Sequence, residues 1–145
     1  MKLKLFYLPL IAVLLMNLNA CSQNNNKQNK SVQTSVTGIS ELLSPADFAA
    51  KMKENPGILI DVRTPQETKK GVIPNARLLN MFDDNFENEI NKLDKSQTYY
   101  VYCASGGRSS ETAEMMIKKG FKHVVDLEGG YTRWVKESLP TTLPN

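Results

Sequence analysis

The fold of this chain is decided by residues 98–109, which read TYYVYCASGGRS. The run Thr98–Tyr102 predicts a buried strand, because it is short, aromatic and apolar. Cys103 follows the strand directly, and a helix is expected to begin at Arg108 or Ser109 and to end at Gly120. Parallel α/β sheets are built from such strand–loop–helix units, and their reactive groups lie beyond the carboxyl ends of the strands. The pattern therefore places Cys103 where an active site is expected.

The residues on both sides continue the alternation of strands and helices. Ser44 and Pro45 are typical of a helix start, and Asn55-Pro56-Gly57 ends that helix. The further elements that we predict are strands at 58–62, 77–80 and 123–127, a short helix at 64–69, and helices at 82–93 and 131–137. This order predicts an α/β domain at residues 38–140, with a mainly parallel sheet flanked by helices, and a tail at 141–145.

Composition indicates one soluble globular domain: of 145 residues, 41% are hydrophobic and 23% charged. The formal charge of +3 includes Lys2 and Lys4, which lie in a segment that we expect to be removed. Without them, the chain has 16 basic and 15 acidic side chains. Binding of nucleic acid needs clustered positive charge, so we expect no nucleic-acid partner.

The first twenty residues have the layout of a secretory signal, with a basic start, an apolar run and a small residue before Cys21. Leu18-Asn19-Ala20-Cys21 resembles the cleavage site of bacterial lipoproteins, whose cysteine is lipidated. The resemblance implies a signal peptide at 1–20, a lipid on Cys21 and attachment to the cell envelope. The alternative, an uncleaved membrane helix, is disfavoured because the apolar run is short and Pro9 interrupts it.

Residues 21–37 are almost entirely polar after Cys21, which predicts a flexible tether between the lipid and the domain. In Gram-negative lipoproteins an Asp after the lipidated cysteine favours the inner membrane. Ser22 stands there in this chain, so the resemblance implies the periplasmic face of the outer membrane.

Cys103 has the surroundings that a nucleophilic thiolate needs. A helix amino terminus stabilises negative charge through free N–H groups, and Gly106 and Gly107 allow those groups to turn toward the sulfur. Arg108 adds a permanent cation that can hold an anionic substrate. The alternative is a buried, inert cysteine. A cation at a helix start opposes the helix dipole, so Arg108 requires an anion nearby.

Four motifs, taken in order, resemble those of rhodanese domains. They are Leu59-Ile-Asp-Val-Arg-Thr-Pro65, Gly71-Val-Ile-Pro-Asn-Ala76, Tyr102-Cys-Ala-Ser-Gly-Gly-Arg-Ser109, and Leu127-Glu-Gly-Gly130 with Trp134. The resemblance implies a three-layer fold and transfer of sulfane sulfur through a persulfide on Cys103. It further implies a small sulfur-containing anion as donor, such as thiosulfate, and a thiol, a thiol protein or cyanide as acceptor.

The resemblance also assigns roles to the loop residues. Arg108 would orient the donor, backbone N–H groups of residues 104–109 would surround the persulfide, and the Ser105 hydroxyl would add a hydrogen-bond donor. The loop residues are Ala104, Ser105, Gly106, Gly107 and Ser109. Asp61 and Arg63 are expected to brace the loop, whereas Glu67 is expected to be a surface or bracing residue.

Other functions fit less well. Related phosphatases have a loop one residue longer between cysteine and arginine, which suits phosphate. With one histidine and one available cysteine, we expect no metal site and no cofactor. Two alternatives stay open: a sulfur-carrier or thiol-interaction module without useful turnover, and a degenerate binding domain. The second is motivated by Val72 and Thr68, where the family commonly has histidine and an aromatic residue; the family also commonly has glycine where Asn75 stands.

Overall fold

The computed structural model of the chain describes residues 38–144. The predicted signal peptide, the lipidation residue Cys21 and the predicted tether lie outside these residues. Within 38–144, no helix has both the length and the apolar character to cross a membrane.

Strands and helices alternate along the described chain. The strands are β1 Ile39–Leu43, β2 Ile58–Asp61, β3 Arg77–Leu78, β4 Thr98–Tyr102 and β5 His123–Leu127. The helices are α1 Pro45–Glu54, α2 Pro65–Thr68, α3 Phe86–Asn91, α4 Gly107–Lys118 and α5 Gly130–Lys136. The strand order is β1-β5-β4-β2-β3, and all four pairings are parallel. The prediction of an α/β fold with a parallel sheet is confirmed.

Helices cover both faces of the sheet and form a three-layer fold. Successive strand residues point to opposite faces, so β4 sends Tyr99 and Val101 toward α3 and α4, and Tyr100 and Tyr102 toward α1 and α5. Central strands are buried on both sides in such sheets, which explains the nearly continuous aromatic and apolar sequence of β4. Cys103 leaves this strand on the α3–α4 side.

Two elements differ from the sequence prediction. Strand β1 was not predicted, because Ser40 and Glu41 interrupt its apolar pattern; it lies at the sheet edge against β5, where polar residues are tolerated. Helix α3 begins at Phe86 and not at Phe82. The backbone N–H of Asn85 donates to the Asp83 carboxylate at 2.9 Å, a local bond that favours a turn over a helix.

The predicted tail packs against the domain over part of its length. Val72 and Thr142 exchange backbone hydrogen bonds of 2.8 and 2.9 Å. The indole N–H of Trp134 donates to the Pro140 carbonyl at 2.9 Å. These bonds place the end of the described chain beside the segment that follows α2.

Candidate active site

Cys103 lies at the carboxyl end of β4, between that strand and the start of α4. Gly106, the residue before the helix, has a φ of 106°, a left-handed conformation that favours glycine. This conformation turns the Gly106 N–H toward Cys103 and makes a 3.1 Å hydrogen bond to its Sγ. Cys103 is only 1% exposed, so its sulfur lies within the loop and not on the open surface.

The loop stabilises the thiolate form of Cys103. Burial by itself raises the pKa of the thiol, but the N–H groups of Ser109, Ser105 and Gly106 and the Ser109 hydroxyl, which lie near the sulfur, outweigh it. The net effect lowers the pKa of Cys103 below its ordinary value. The site therefore favours the nucleophilic form of the sulfur.

The structure places the loop residues around the sulfur in different ways. The hydroxyl near the sulfur is that of the buried Ser109 and not, as predicted, that of Ser105; the Ser109 hydroxyl donates to the Gly106 carbonyl at 3.0 Å. The side chain of Ser105 is exposed, and only its backbone N–H faces the sulfur. Ala104 is half-buried, and its carbonyl accepts a 2.9 Å hydrogen bond from the Thr132 N–H. Gly107 is exposed at the first position of α4.

Arg108 is paired with an acidic residue that the sequence analysis assigned to the surface or to bracing. Its two terminal nitrogens donate to Glu67 Oε2 at 2.9 Å and Oε1 at 2.6 Å. The pKa of Arg108 is raised, first by this hydrogen bond and further by the nearby Cys103 sulfur. Arg108 therefore lies beside the sulfur, and Glu67 is the anion that its position requires.

Glu67 is itself held in place by its own helix. Its Oε2 accepts hydrogen bonds of 2.8 Å from both the N–H and the hydroxyl of Thr64, as in a helix capping box. The Arg108 hydrogen bond is the main cause that lowers the pKa of Glu67 to about 2. Glu67 is thus ionised at neutral pH.

A second ion pair lies beneath the loop. The Arg63 guanidinium donates to Asp61 Oδ2 at 2.6 Å and to the Gly71 carbonyl at 2.8 Å, and its Cζ lies 3.9 Å from the centre of the Tyr131 ring. The Tyr131 N–H donates to the Cys103 carbonyl at 2.8 Å. Asp61 and Arg63 thus connect to the loop through Tyr131, the geometry that a bracing role requires.

Gly130 is where the loop contacts the start of α5. Its φ is 57°, and a Cβ at this position would lie 2.5 Å from the Cys103 carbonyl oxygen. Glycine is therefore required both by the backbone conformation and by the space. The resemblance had pointed to this Gly-Gly motif without indicating that it touches the loop.

Asp126 is a buried acid near the site that the sequence analysis did not single out. It pairs in register with Val101, is 4% exposed, and its Oδ1 has no hydrogen-bond partner in the described structure. Burial raises its pKa to about 6, although the Ser109 side chain and the Leu127 N–H act in the opposite direction. Asp126 therefore approaches the same hydroxyl that faces the Cys103 sulfur.

Comparison with known proteins agrees with this geometry. The family model of the rhodanese-like domain matches residues 44–137. The chain belongs to the rhodanese-like domain family. The match begins at the N-cap of α1 and ends just after α5, so it includes the whole loop.

Relatives of this rhodanese-like domain include proteins named as sulfurtransferases. The chain is 32% identical to a sulfurtransferase of Allochromatium vinosum over 87 residues, which are 60% of this chain and 79% of that protein. It is 38% identical to the putative sulfurtransferase YtwF of Bacillus subtilis, over 57% of this chain and 77% of that protein. These relatives support a sulfurtransferase-like enzyme.

Solved structures show the same fold. A rhodanese-like domain protein from Staphylococcus aureus is 35% identical, with a TM-score of 0.58, and the alignment covers 65% of this chain and 90% of that one. The chain also matches tRNA uridine(34) hydroxylases, but it covers only 29% of the protein from Chlamydia abortus. That likeness concerns one part of a larger protein.

The three departures from the family's motifs occupy ordinary structural positions in this rhodanese-like domain. Val72 is buried and pairs with Thr142 through its backbone. Asn75 has a φ of 67°, a conformation that glycine adopts most easily and asparagine tolerates. Thr68 is buried at the end of α2. None of the three is among the residues whose groups hydrogen-bond the Cys103 sulfur or lower its pKa.

Proposed function

We propose that the protein moves sulfane sulfur from thiosulfate or a similar donor to a thiol or cyanide acceptor through a persulfide on Cys103. The observation that carries this proposal is the set of loop N–H groups, that of Gly106 at 3.1 Å among them, around a thiol whose pKa is lowered. Such donors stabilise a thiolate, and they serve equally for the terminal sulfur of a persulfide.

The reaction takes place in two displacements. The Cys103 thiolate attacks the outer sulfur of the donor, the donor's S–S bond breaks, and the leaving group, sulfite in the case of thiosulfate, takes the bonding electrons. An acceptor thiolate or cyanide then attacks the outer persulfide sulfur, which restores the Cys103 thiolate. The loop N–H groups hold negative charge on sulfur in both states.

The test is the intact mass of the full chain with Cys21→Ala, which leaves Cys103 as its single thiol. Incubation with millimolar thiosulfate should add the mass of one sulfur atom, and cyanide should remove it. The matched control with Cys103→Ser as well should gain nothing. A folded parent chain that carries no extra sulfur after incubation with thiosulfate or with an organic hydropersulfide would contradict the proposal.

A sulfur carrier without useful turnover is the second candidate. The bidentate pairing of Arg108 with Glu67 favours it, because the cation expected to hold a free anionic donor is already engaged. Multiple turnovers with a free donor and cyanide would support the enzyme. A single loading, discharged only by a protein thiol, would support the carrier.

We also propose that the mature protein is attached by a lipid on Cys21 to the cell envelope, at the periplasmic face of the outer membrane. The basis is the sequence of residues 1–22 alone. Growth with a clickable palmitate analogue should label the chain, and Cys21→Ala should abolish the label. Fractionation into inner and outer membranes then tests the location, and an unlabelled protein in the soluble fraction would contradict it.

A further inference from the structure

Three ionisable side chains lie together at the Cys103 loop: Cys103, Arg108 and Glu67. Both terminal nitrogens of Arg108 donate to the Glu67 carboxylate, at 2.9 and 2.6 Å. Glu67 has little freedom to leave, because two 2.8 Å hydrogen bonds from Thr64 hold the same carboxylate. The pair is therefore a prearranged part of the site.

This pairing has a consequence for the donor. With Cys103 as a thiolate, the two negative charges of Cys103 and Glu67 exceed the single positive charge of Arg108. Thiosulfate carries two negative charges at neutral pH, so the net charge of −1 on these three side chains opposes its approach to the sulfur. An uncharged organic group that carries a hydropersulfide, R–S–SH, gives a donor with at most one negative charge.

An apolar aromatic ring lies beside Arg108. The ring of Phe82 is centred 5.6 Å from the Arg108 Cζ, and this residue is 67% exposed. Phe82 is exposed because the chain turns at residues 80–85 and does not continue the α3 helix. Thiosulfate has no apolar part to contact this ring, whereas an organic carrier presents carbon next to its sulfur.

We propose that Glu67 is a specificity-determining residue that, by holding Arg108, makes the site favour an organic hydropersulfide over thiosulfate as sulfur donor. This inference rests on the sulfur transfer proposed above and names its donor class. The Cys103 thiolate attacks the terminal sulfur of R–S–SH, a new S–S bond forms, and the bond between the two donor sulfurs breaks. The thiolate R–S⁻ leaves with the bonding pair, so no further oxidant or reductant is required.

The experiment compares rates of persulfide formation on Cys103 in the full chain with Cys21→Ala, with and without Glu67→Gln. The two donors are thiosulfate and the hydropersulfide of 2-mercaptoethanol, whose carrier has no other charge. Glutamine keeps an oxygen for the Thr64 hydrogen bonds but no longer neutralises Arg108. We expect Glu67→Gln to raise the thiosulfate rate at least about tenfold and the hydropersulfide rate by less than about threefold.

The matched control is Glu137→Gln, which also removes one carboxylate from an arginine pair, with Arg133 on α5. It should leave both rates unchanged. An equal increase for both donors in Glu67→Gln, or no increase for thiosulfate, would overturn the assignment. Absence of persulfide with either donor would instead overturn the proposed sulfur transfer, so the two failures are distinguishable.

A second measurement needs no variant at position 67. If the site repels thiosulfate, the thiosulfate rate of the parent chain should rise as salt is increased from about 10 mM to about 0.3 M, because salt screens repulsion between like charges. If Arg108 instead attracts thiosulfate, the rate should fall over the same range. A falling rate would therefore overturn the proposal even if Glu67→Gln failed to fold.

Discussion

Two carboxylate–arginine pairs lie near the Cys103 loop, and they differ in burial. Asp61 and Arg63 are 0% and 3% exposed, whereas Glu67 and Arg108 are 33% and 21% exposed. The buried pair is separated by one residue and stacks on an aromatic ring; the other joins positions 41 residues apart across the site. Both are ion pairs of a carboxylate with an arginine, but burial determines how strongly each charge depends on its partner.

For the buried pair, each charge has been removed from water and depends on the other. Loss of one partner leaves an uncompensated charge, which costs much more than the pair contributes. For the Glu67–Arg108 pair, water can replace a missing partner, so the pair has only a small effect on stability. Its effect on an incoming anion remains, because Arg108 lies near the Cys103 sulfur.

The largest effect is expected from breaking the buried pair. Asp61→Ala should lower the free energy of unfolding by about 3–5 kcal/mol, because the Arg63 charge remains buried without its carboxylate. Urea denaturation followed by circular dichroism measures this loss.

The control for this prediction is Glu41→Ala, which removes the partner of Lys51 from a pair whose side chains are 35% and 31% exposed. That change should cost less than about 1 kcal/mol. Equal losses in the two variants would show that burial does not distinguish the ion pairs.

Asp126 tests the role of burial in another way, because it is a buried carboxyl group that forms no ion pair within residues 38–144. Its pKa of about 6 lies above the unfolded value of 3.8, so the unfolded chain holds fewer protons between these pH values. Ionisation therefore costs stability increasingly as pH rises from about 4 and fully above about 6. Asp126→Asn cannot ionise, and should gain about 2–3 kcal/mol relative to the parent chain between pH 4 and pH 8.

The measurement is a series of urea denaturations of both proteins between pH 4 and pH 8. The informative quantity is the change in their difference with pH, since any constant effect of the amide cancels. A difference that stays flat over this range would show that Asp126 is ionised at little cost.

The sequence was a good guide to the loop and a poor guide to its surroundings. Strand β4, Cys103 and the start of α4 are contiguous, so their chemistry follows from local patterns. The need for an anion near Arg108 also followed from the helix dipole. Which anion supplies it did not, because Glu67 reaches Arg108 only through the placement of α2 beside α4.

For the residues whose contacts with the site were not predicted, only part of the signal is local. Thr64 and Glu67 have the spacing of a capping box, which predicts their mutual hydrogen bonds but not the contact with Arg108. Asp126 is a carboxylate inside an apolar strand, an unusual feature, yet the face it occupies depends on the register with β4. Long-range contacts of this kind require the fold.

The smallest effect on stability is expected at Glu67, even though its effect on the donor is expected to be large. Glu67→Gln should change the free energy of unfolding by less than about 1 kcal/mol at neutral pH, because the pair is partly exposed. The lowered pKa means that the carboxylate's contribution is present above about pH 4.5 and is lost as pH falls toward 2. The variant and the parent should therefore converge in stability at low pH, as measured by thermal unfolding. A loss as large as that of Asp61→Ala would mean that Glu67 stabilises the fold as the buried pair does, and a change in donor preference would then not report on charge alone.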